Sequence, residues 1–252
     1  MKTFKRPFVL SGGGARGMAH LGVIKAFMEK GIFPEAISGT SAGALVGVFI
    51  CDGYAPEEII SIFEQNKITA IFDWRSFGKG LLSLRNHNTL LQKYIRSKTF
   101  EELKIPLYVA TTHFSTGHQK VFHSGELLYP LLASCSIPLF FPPVVIEGEP
   151  YVDGGLSSNL PVEPLAKEYK KIVGVHVNPI PEYRLLSSIF ANADRTMHLS
   201  IRSSVIRNIP QCALFIEPKG LENYGIFEIK KIREIYELGY LYTKSFLETL
   251  IE

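Results

Sequence analysis

The sequence predicts an α/β protein with a mostly parallel central sheet and helices on both faces. Three observations carry this. Short apolar runs alternate with longer segments of helical periodicity, in the order β, α, β, α. Glycines punctuate the junctions where those strands give way to helices. Nearly half of the 252 residues are hydrophobic, enough for a sizeable core. No internal repeat, low-complexity tract or Ser/Gly linker divides the chain, so one domain is expected.

Residues 8–11 read as the first strand and residues 12–17 as a glycine-rich loop. A helix follows from Met18, with Leu21, Ile24 and Phe27 or Met28 on one face, and Gly31 stops it. Residues 36–38 read as a second strand and residues 44–50 as a buried helix ended by Gly53. Pro56 opens another helix carrying Ile59, Ile60 and Phe63. Thr99 and Glu102 are spaced as a capping box. Residues 107–112 and 119–123 read as strands around a turn at Ser115-Thr116-Gly117, and residues 144–152 as a hairpin around Glu147-Gly148-Glu149. Residues 126–135 form a helix interrupted by Pro130, residues 162–169 another, and residues 172–177 an apolar strand. The last third is more helical, with residues 226–250 its longest segment.

A net charge of +3 is mild. It argues against a dedicated nucleic-acid binder, which concentrates Lys and Arg, and permits a weak preference for anionic surfaces such as membranes. Cys51, Cys135 and Cys212 are an odd, scattered set in apolar stretches. They read as buried reduced thiols, which fits a cytosolic compartment. Lys2, Lys5 and Arg6 precede only a short apolar run at residues 7–10, too short for a signal peptide. No stretch approaches the roughly 20 apolar residues of a membrane span. The expected location is cytoplasmic, with peripheral membrane contact compatible.

Three motifs bear on chemistry. Gly39-Thr40-Ser41-Ala42-Gly43 is a G-x-S-x-G pentapeptide between a short apolar segment and a long one. That is the strand–sharp turn–helix setting of a nucleophile elbow, with Ser41 at the strained tip. Gly39 and Gly43 let strand and helix approach closely, and the helix N-terminus points its partial positive charge at the reacting oxygen. The pattern names a nucleophile but not its base. Gly12-Gly13-Gly14-Ala15-Arg16-Gly17 fits G-x-G-x-x-G after a strand, which alone is a dinucleotide fingerprint. A ribose-binding acid at the end of the second strand is missing, because the nearby acid, Glu35, lies before that strand. The alternative use of the glycines is an oxyanion hole of backbone N–H groups. Arg16 could add positive charge or bind a phosphate head group, or it could be structural and pair with a carboxylate. Asp153-Gly154-Gly155 follows a strand and precedes a polar loop ending at Asn159-Leu160-Pro161; by itself it is an ordinary Asp-Gly turn.

Taken together and in this order, the three motifs resemble the patatin-like phospholipase family, especially its bacterial members. Ala133-Ser134-Cys135-Ser136-Ile137-Pro138 with Phe141-Pro142-Pro143 is similar to the family's segment ahead of the D-G-G triplet. The resemblance spans residues 6–178, which it implies are the catalytic core, with residues 179–252 a mostly helical extension packed on the same domain. It implies a three-layer fold and a Ser–Asp dyad of Ser41 as nucleophile and Asp153 as general base. The oxyanion donors it implies are the amides of Gly12, Gly13, Gly14 and Ala42. Arg16, Gly17, Gly39, Gly43, Gly154 and Gly155 support the site. No cofactor and no metal are implied. The substrate is a lipid or other acyl ester, and no nucleic-acid partner is expected. An Asp near its ordinary pKa of about 3.9 is a poor base for a hydroxyl, so the dyad requires burial to raise it.

The histidines are read as bystanders. His20 falls on the helix after the glycine loop as a packing residue, and His176 lies in an apolar strand as a core histidine. His113, His118 and His123 surround one turn without metal-ligand spacing, and His87 and His198 carry no signal. Phe140 and Phe141 read as core and loop packing. Phe72, Trp74, Phe77, Leu81 and Leu82, within the irregular segment 69–87, leave open an acyl-chain pocket, a membrane-contacting lid or plain packing. The leading expectation is a serine esterase acting on phospholipids, lysophospholipids or other fatty acyl esters. A catalytically silent lipid-binding or regulatory module and a nucleotide-binding protein are the alternatives.

Overall fold

The computed structural model describes residues 3–65, 91–138, 140–180 and 189–250. The segment 69–87, with its aromatic residues and His87, lies outside the described residues. Eight strands form one sheet: β1 (Phe4–Leu10), β2 (Ile32–Thr40), β3 (Leu107–His113), β4 (Gln119–Phe122), β5 (Val144–Ile146), β6 (Glu149–Asp153), β7 (Val173–Val175) and β8 (Leu214–Ile216). The spatial order is β5-β6-β3-β2-β1-β7-β8, with β4 paired to β3. The pairs β2–β3, β1–β2, β1–β7 and β7–β8 are parallel, whereas β3–β4, β3–β6 and β5–β6 are antiparallel. The sheet is therefore mixed but mostly parallel, as expected. β8, which the sequence reading passed over, is three residues long and too short to show a period.

Alternation along β1 divides the core into two layers. Phe8 and Leu10 face one large cluster, while Val9 faces a smaller one with Ala36, Leu160, Val162, Leu165, Ile172 and Val205. The large cluster is covered by α1 (Met18–Glu29), α2 (Ala42–Cys51) and α3 (Pro56–Gln65). α4 (Leu128–Ser134) packs beside β3 and β6. On the opposite face lie α5 (Glu163–Ala166) and α6 (Ile189–Asn208), which contribute Leu165 and Val205 to the smaller cluster.

α1 is buried nearly all round rather than along one stripe, because α7 (Ile232–Thr249) covers its outer side. The two helices cross at Gly22 and Gly239. A Cβ at Gly22 would run into the Tyr236 carbonyl, and one at Gly239 into that of Ala19. The predicted segment 226–250 is thus a shorter helix preceded by a 3-10 turn at Ile229–Lys231. Pro130 sits in the first turn of α4, where a missing N–H costs nothing, so it starts the helix instead of breaking it. The capping box is not formed: Thr99 makes no side-chain cap, and the Glu102 carboxylate accepts from the Lys98 N–H at 2.7 Å.

Candidate active site

The register of the strands builds the site at the carboxyl ends of the parallel strands. Leu10 pairs with Gly39 and with Val175, and Thr40 pairs with Ala110. The loops that follow β1, β2 and β7 therefore leave the sheet side by side, where chain order reverses about β1. β6 runs antiparallel to β3, and its last residue, Asp153, pairs with Thr111. Asp153 thus stands almost level with Ser41, two strand spacings away, roughly 10 Å of sheet.

Ser41 sits at φ 52° and ψ −126°, immediately before α2. Such a conformation costs a non-glycine residue about 1–3 kcal/mol and persists only when the surroundings enforce it. The enforcing contacts are visible. The Ser41 N–H donates to Ser134 Oγ at 2.9 Å, and Ser134 Oγ donates onward to the Ala110 carbonyl at 2.7 Å. The side chain closing the elbow therefore comes from α4.

The chain after Asp153 crosses β3 at Ala110 toward Ser41. A Cβ at Gly154 would strike the Ala110 carbonyl and Thr40 Oγ1, so only a glycine allows that crossing. Asp153 and Ser41 are both buried and line the same cleft, where the Ser41 hydroxyl beside the Asp153 carboxyl lowers that carboxyl's pKa. The Gly155 N–H donates to Asp153 Oδ1 at 2.7 Å. The Asp153 backbone is pinned as well: its N–H donates to the Ser136 carbonyl at 2.9 Å, and its carbonyl accepts from Thr112 Oγ1 at 2.9 Å. Burial pushes the Asp153 carboxyl up to about 6, against the Ser41 hydroxyl and the Gly155 N–H, which hold it down.

The glycine loop lies against both groups. The Gly12 N–H donates to Asn159 Oδ1 at 3.1 Å, and the Gly12 carbonyl accepts from Asn178 Nδ2 at 2.6 Å. The Gly12 amide, expected among the oxyanion donors, is therefore already engaged. The amides of Gly13, Gly14 and Ala42 have no acceptor among the described residues. Arg16 is buried under the loop, its Nε donating to the Tyr224 carbonyl at 2.6 Å, and it is not part of the cleft wall. It ties the loop to the last third of the chain.

Ser41 and Asp153 open into a cleft of about 870 Å³, counting its open mouth. Ile137, Phe140, Leu156, Ile201, Ile226 and Phe227 give it an apolar wall, and the Phe140 and Phe227 rings stand 5.2 Å apart. Phe140 is thus a cleft residue rather than loop packing. Its polar end holds His176, Asn178, His198 and Arg202. The His176 Nδ1 lies 2.8 Å from Glu217 Oε1, which the Arg202 guanidinium also pairs with, and burial lowers the pKa of His176. His20 is buried with Nε2 2.8 Å from the Ser11 carbonyl, and burial takes its pKa down to about 4. It is neutral and packs as expected. His113, the last residue of β3, bonds Glu149, the first of β6, and does not line the cleft.

Sequence reasoning missed the contributions of Asn159, Asn178, Arg202, Ile226 and Phe227. Asn159 alone carried a local signal, as the last polar residue before Leu160-Pro161 in the loop after the D-G-G triplet. The others lie on distant segments whose only mark is position in the fold.

The sequence profile described as patatin-like phospholipase matches residues 8–166. Lysophospholipase NTE1 of Kluyveromyces lactis is 28% identical over 97% of this chain and 19% of its own length. Lysophospholipase nte1 of Aspergillus fumigatus is 31% identical over 96% of this chain and 18% of its own. The chain spans about a fifth of the length of these curated relatives. Among solved structures, VipD from Legionella pneumophila superposes with a TM-score of 0.58 at 16% identity, over 99% of this chain and 67% of that one. That likeness is one of fold. The family profile, spanning most of the chain and enclosing the glycine loop, the elbow and the D-G-G triplet, makes the chain a member of the patatin-like phospholipase family.

Proposed function

We propose that the protein is a serine acyl hydrolase that cleaves fatty acyl esters of phospholipids or lysophospholipids through a Ser41–Asp153 dyad. The observation that carries this is Ser41, at the strained tip of the elbow, sharing a cleft with a buried carboxyl raised to about 6. Such a carboxyl is ionised at neutral pH yet far more basic than an exposed Asp, which suits it to take a proton from serine.

Asp153 accepts the Ser41 proton as Oγ attacks the ester carbonyl. The amides of Gly13, Gly14 and Ala42 receive the developing oxyanion, aided by the N-terminus of α2. Asp153 then returns the proton to the departing alcohol, leaving an acyl-serine. Water enters, gives a proton to Asp153 and attacks the acyl-serine; Asp153 passes that proton to Ser41 Oγ as the acyl bond breaks, which releases the fatty acid and restores the dyad. The acyl chain lies along Ile137, Phe140, Leu156, Ile226 and Phe227. The names of the fungal relatives support a monoacyl phospholipid among the substrates. Among the described residues no helix is long and apolar enough to cross a membrane. Leu156, half exposed at the cleft, offers an apolar contact for peripheral docking at a lipid surface.

The test is hydrolysis of p-nitrophenyl esters and defined lysophospholipids, with fluorophosphonate labelling. The wild type is expected to hydrolyse and be labelled, and Ser41→Ala to do neither. Labelling of Ser41→Ala would place the nucleophile elsewhere.

A further inference from the structure

The side chain of Asn159 occupies a position that neither the elbow nor the dyad explains. Its Oδ1 accepts the Gly12 N–H at 3.1 Å. That donor fixes the amide orientation, since Nδ2 could not face another N–H. The carboxamide is wedged between the first and last motifs of the site. A Cβ built on Gly12 would lie 2.7 Å from Asn159 Oδ1 and 3.1 Å from the Ser41 Cβ. One built on Gly155 would lie 3.0 Å from both Asn159 Oδ1 and Asp153 Oδ1. One side chain thus stands against both Gly12 and Gly155.

Asn159 is itself braced by α6. Its N–H donates to Ser204 Oγ at 3.1 Å, and Asn208 Nδ2 donates to the neighbouring Leu160 carbonyl at 2.8 Å. The residue is buried in the cleft wall, and its Nδ2 has no partner among the described residues. A side chain kept only for packing would not bury an unpaired donor when an apolar residue of equal size avoids it.

We propose that Asn159 is a positioning residue: by holding the Gly12 N–H it sets the glycine loop so that the following amides, Gly13 and Gly14, meet the oxyanion. The proposal rests on the acyl-hydrolase reading above. The Gly12 amide acts as an anchor for the loop rather than as a donor to substrate. α6, from the last third of the chain, steadies the oxyanion loop through Asn159.

Steady-state and labelling kinetics of the full chain on a p-nitrophenyl ester test this, with Ser41→Ala as the inactive reference. Asn159→Ala is expected to lower kcat by about 100-fold with KM changed less than about threefold, the cost of a misplaced oxyanion donor. Fluorophosphonate labelling should slow in parallel, since its adduct uses the same amides. Asn159→Leu, of similar size without an acceptor, carries the same expectation and serves if Asn159→Ala does not fold. Asn159→Asp keeps an oxygen facing Gly12. On the alkaline plateau, where the extra carboxylate no longer holds Asp153 protonated, it should recover about tenfold or more over Asn159→Ala. A kcat within about threefold of wild type for both apolar variants, a loss confined to KM, or no recovery in Asn159→Asp would each overturn the proposal. Absence of hydrolysis by the wild type, or hydrolysis by Ser41→Ala, overturns instead the acyl-hydrolase reading on which it stands.

Discussion

The Ser41 hydroxyl stands beside the Asp153 carboxyl across β3, bringing the residue that follows β2 to the last residue of β6, two strands that are not neighbours in the sheet. Both partners are fixed by backbone bonds to the same region: Ser41 through Ser134 to Ala110, and Asp153 through its strand pairing with Thr111. The pair is held by the sheet rather than by the flexibility of its side chains, and its properties make the following outcomes testable.

Activity should rise with pH through about 6. As the proposed base Asp153 acts only when ionised, and burial raises its carboxyl from 3.8 to about 6. Below that value kcat/KM should fall about tenfold per pH unit, as one group protonates. A pH–rate profile with its acid limb near 4 would show that Asp153 is not the base.

Asp153→Asn should stabilise the fold at pH 8 while abolishing turnover. A carboxyl whose folded value is raised contributes stability that is complete below its unfolded value and is lost as pH rises through about 6. The wild type at pH 8 therefore bears roughly 3 kcal/mol from the ionised group, which a neutral amide removes. The gain in Tm over wild type should grow between pH 4 and pH 8. An equal gain at both would mean that the carboxyl carries no burial cost.

Ser41→Gly should be more stable than Ser41→Ala by about 1 kcal/mol, although both lack the hydroxyl. Only glycine relaxes at φ 52°. Denaturant midpoints of the two inactive variants measure the backbone strain at the elbow directly; identical midpoints would show that no strain is stored there.

Gly154→Ala should both destabilise and inactivate. Its Cβ would meet the Ala110 carbonyl and Thr40 Oγ1, which lie in the sheet and cannot move aside. The expected loss is about 1–3 kcal/mol in urea unfolding, with activity reduced because Asp153 is displaced from Ser41.

Phe227→Ala should erode chain-length preference. Phe227 pairs with Phe140 along the apolar wall. Losing a few methylene contacts at about 0.8 kcal/mol each should lower kcat/KM for long-chain esters by about tenfold or more and leave the acetate ester nearly unchanged. Equal losses on both esters would place the acyl chain elsewhere.

The readable part of this fold is the part governed by short-range rules. The mostly apolar run at residues 8–11 marked β1, and Gly31 and Gly53 marked helix ends because only glycine adopts their positive φ at no cost. The capping box failed because Thr99 and Glu102 fit a spacing that the local 3-10 geometry does not use. α1 was read as amphipathic and is buried all round, because the helix that covers its far side comes from the other end of the chain.

By itself the sequence determined the order of the three motifs, the residue at the elbow tip and the glycines where backbones nearly touch. These follow from backbone sterics and periodicity within a few residues. Tertiary structure decided what Ser41 faces, how far Asp153 is lifted toward neutrality, and which glycine amides stay unengaged. It also decided that Phe227, Arg202 and the braces on Asn159, all from the last third, complete the cleft. The physical reason is that desolvation and hydrogen-bond occupancy depend on groups brought together by strand register and helix packing, and no local pattern encodes that register.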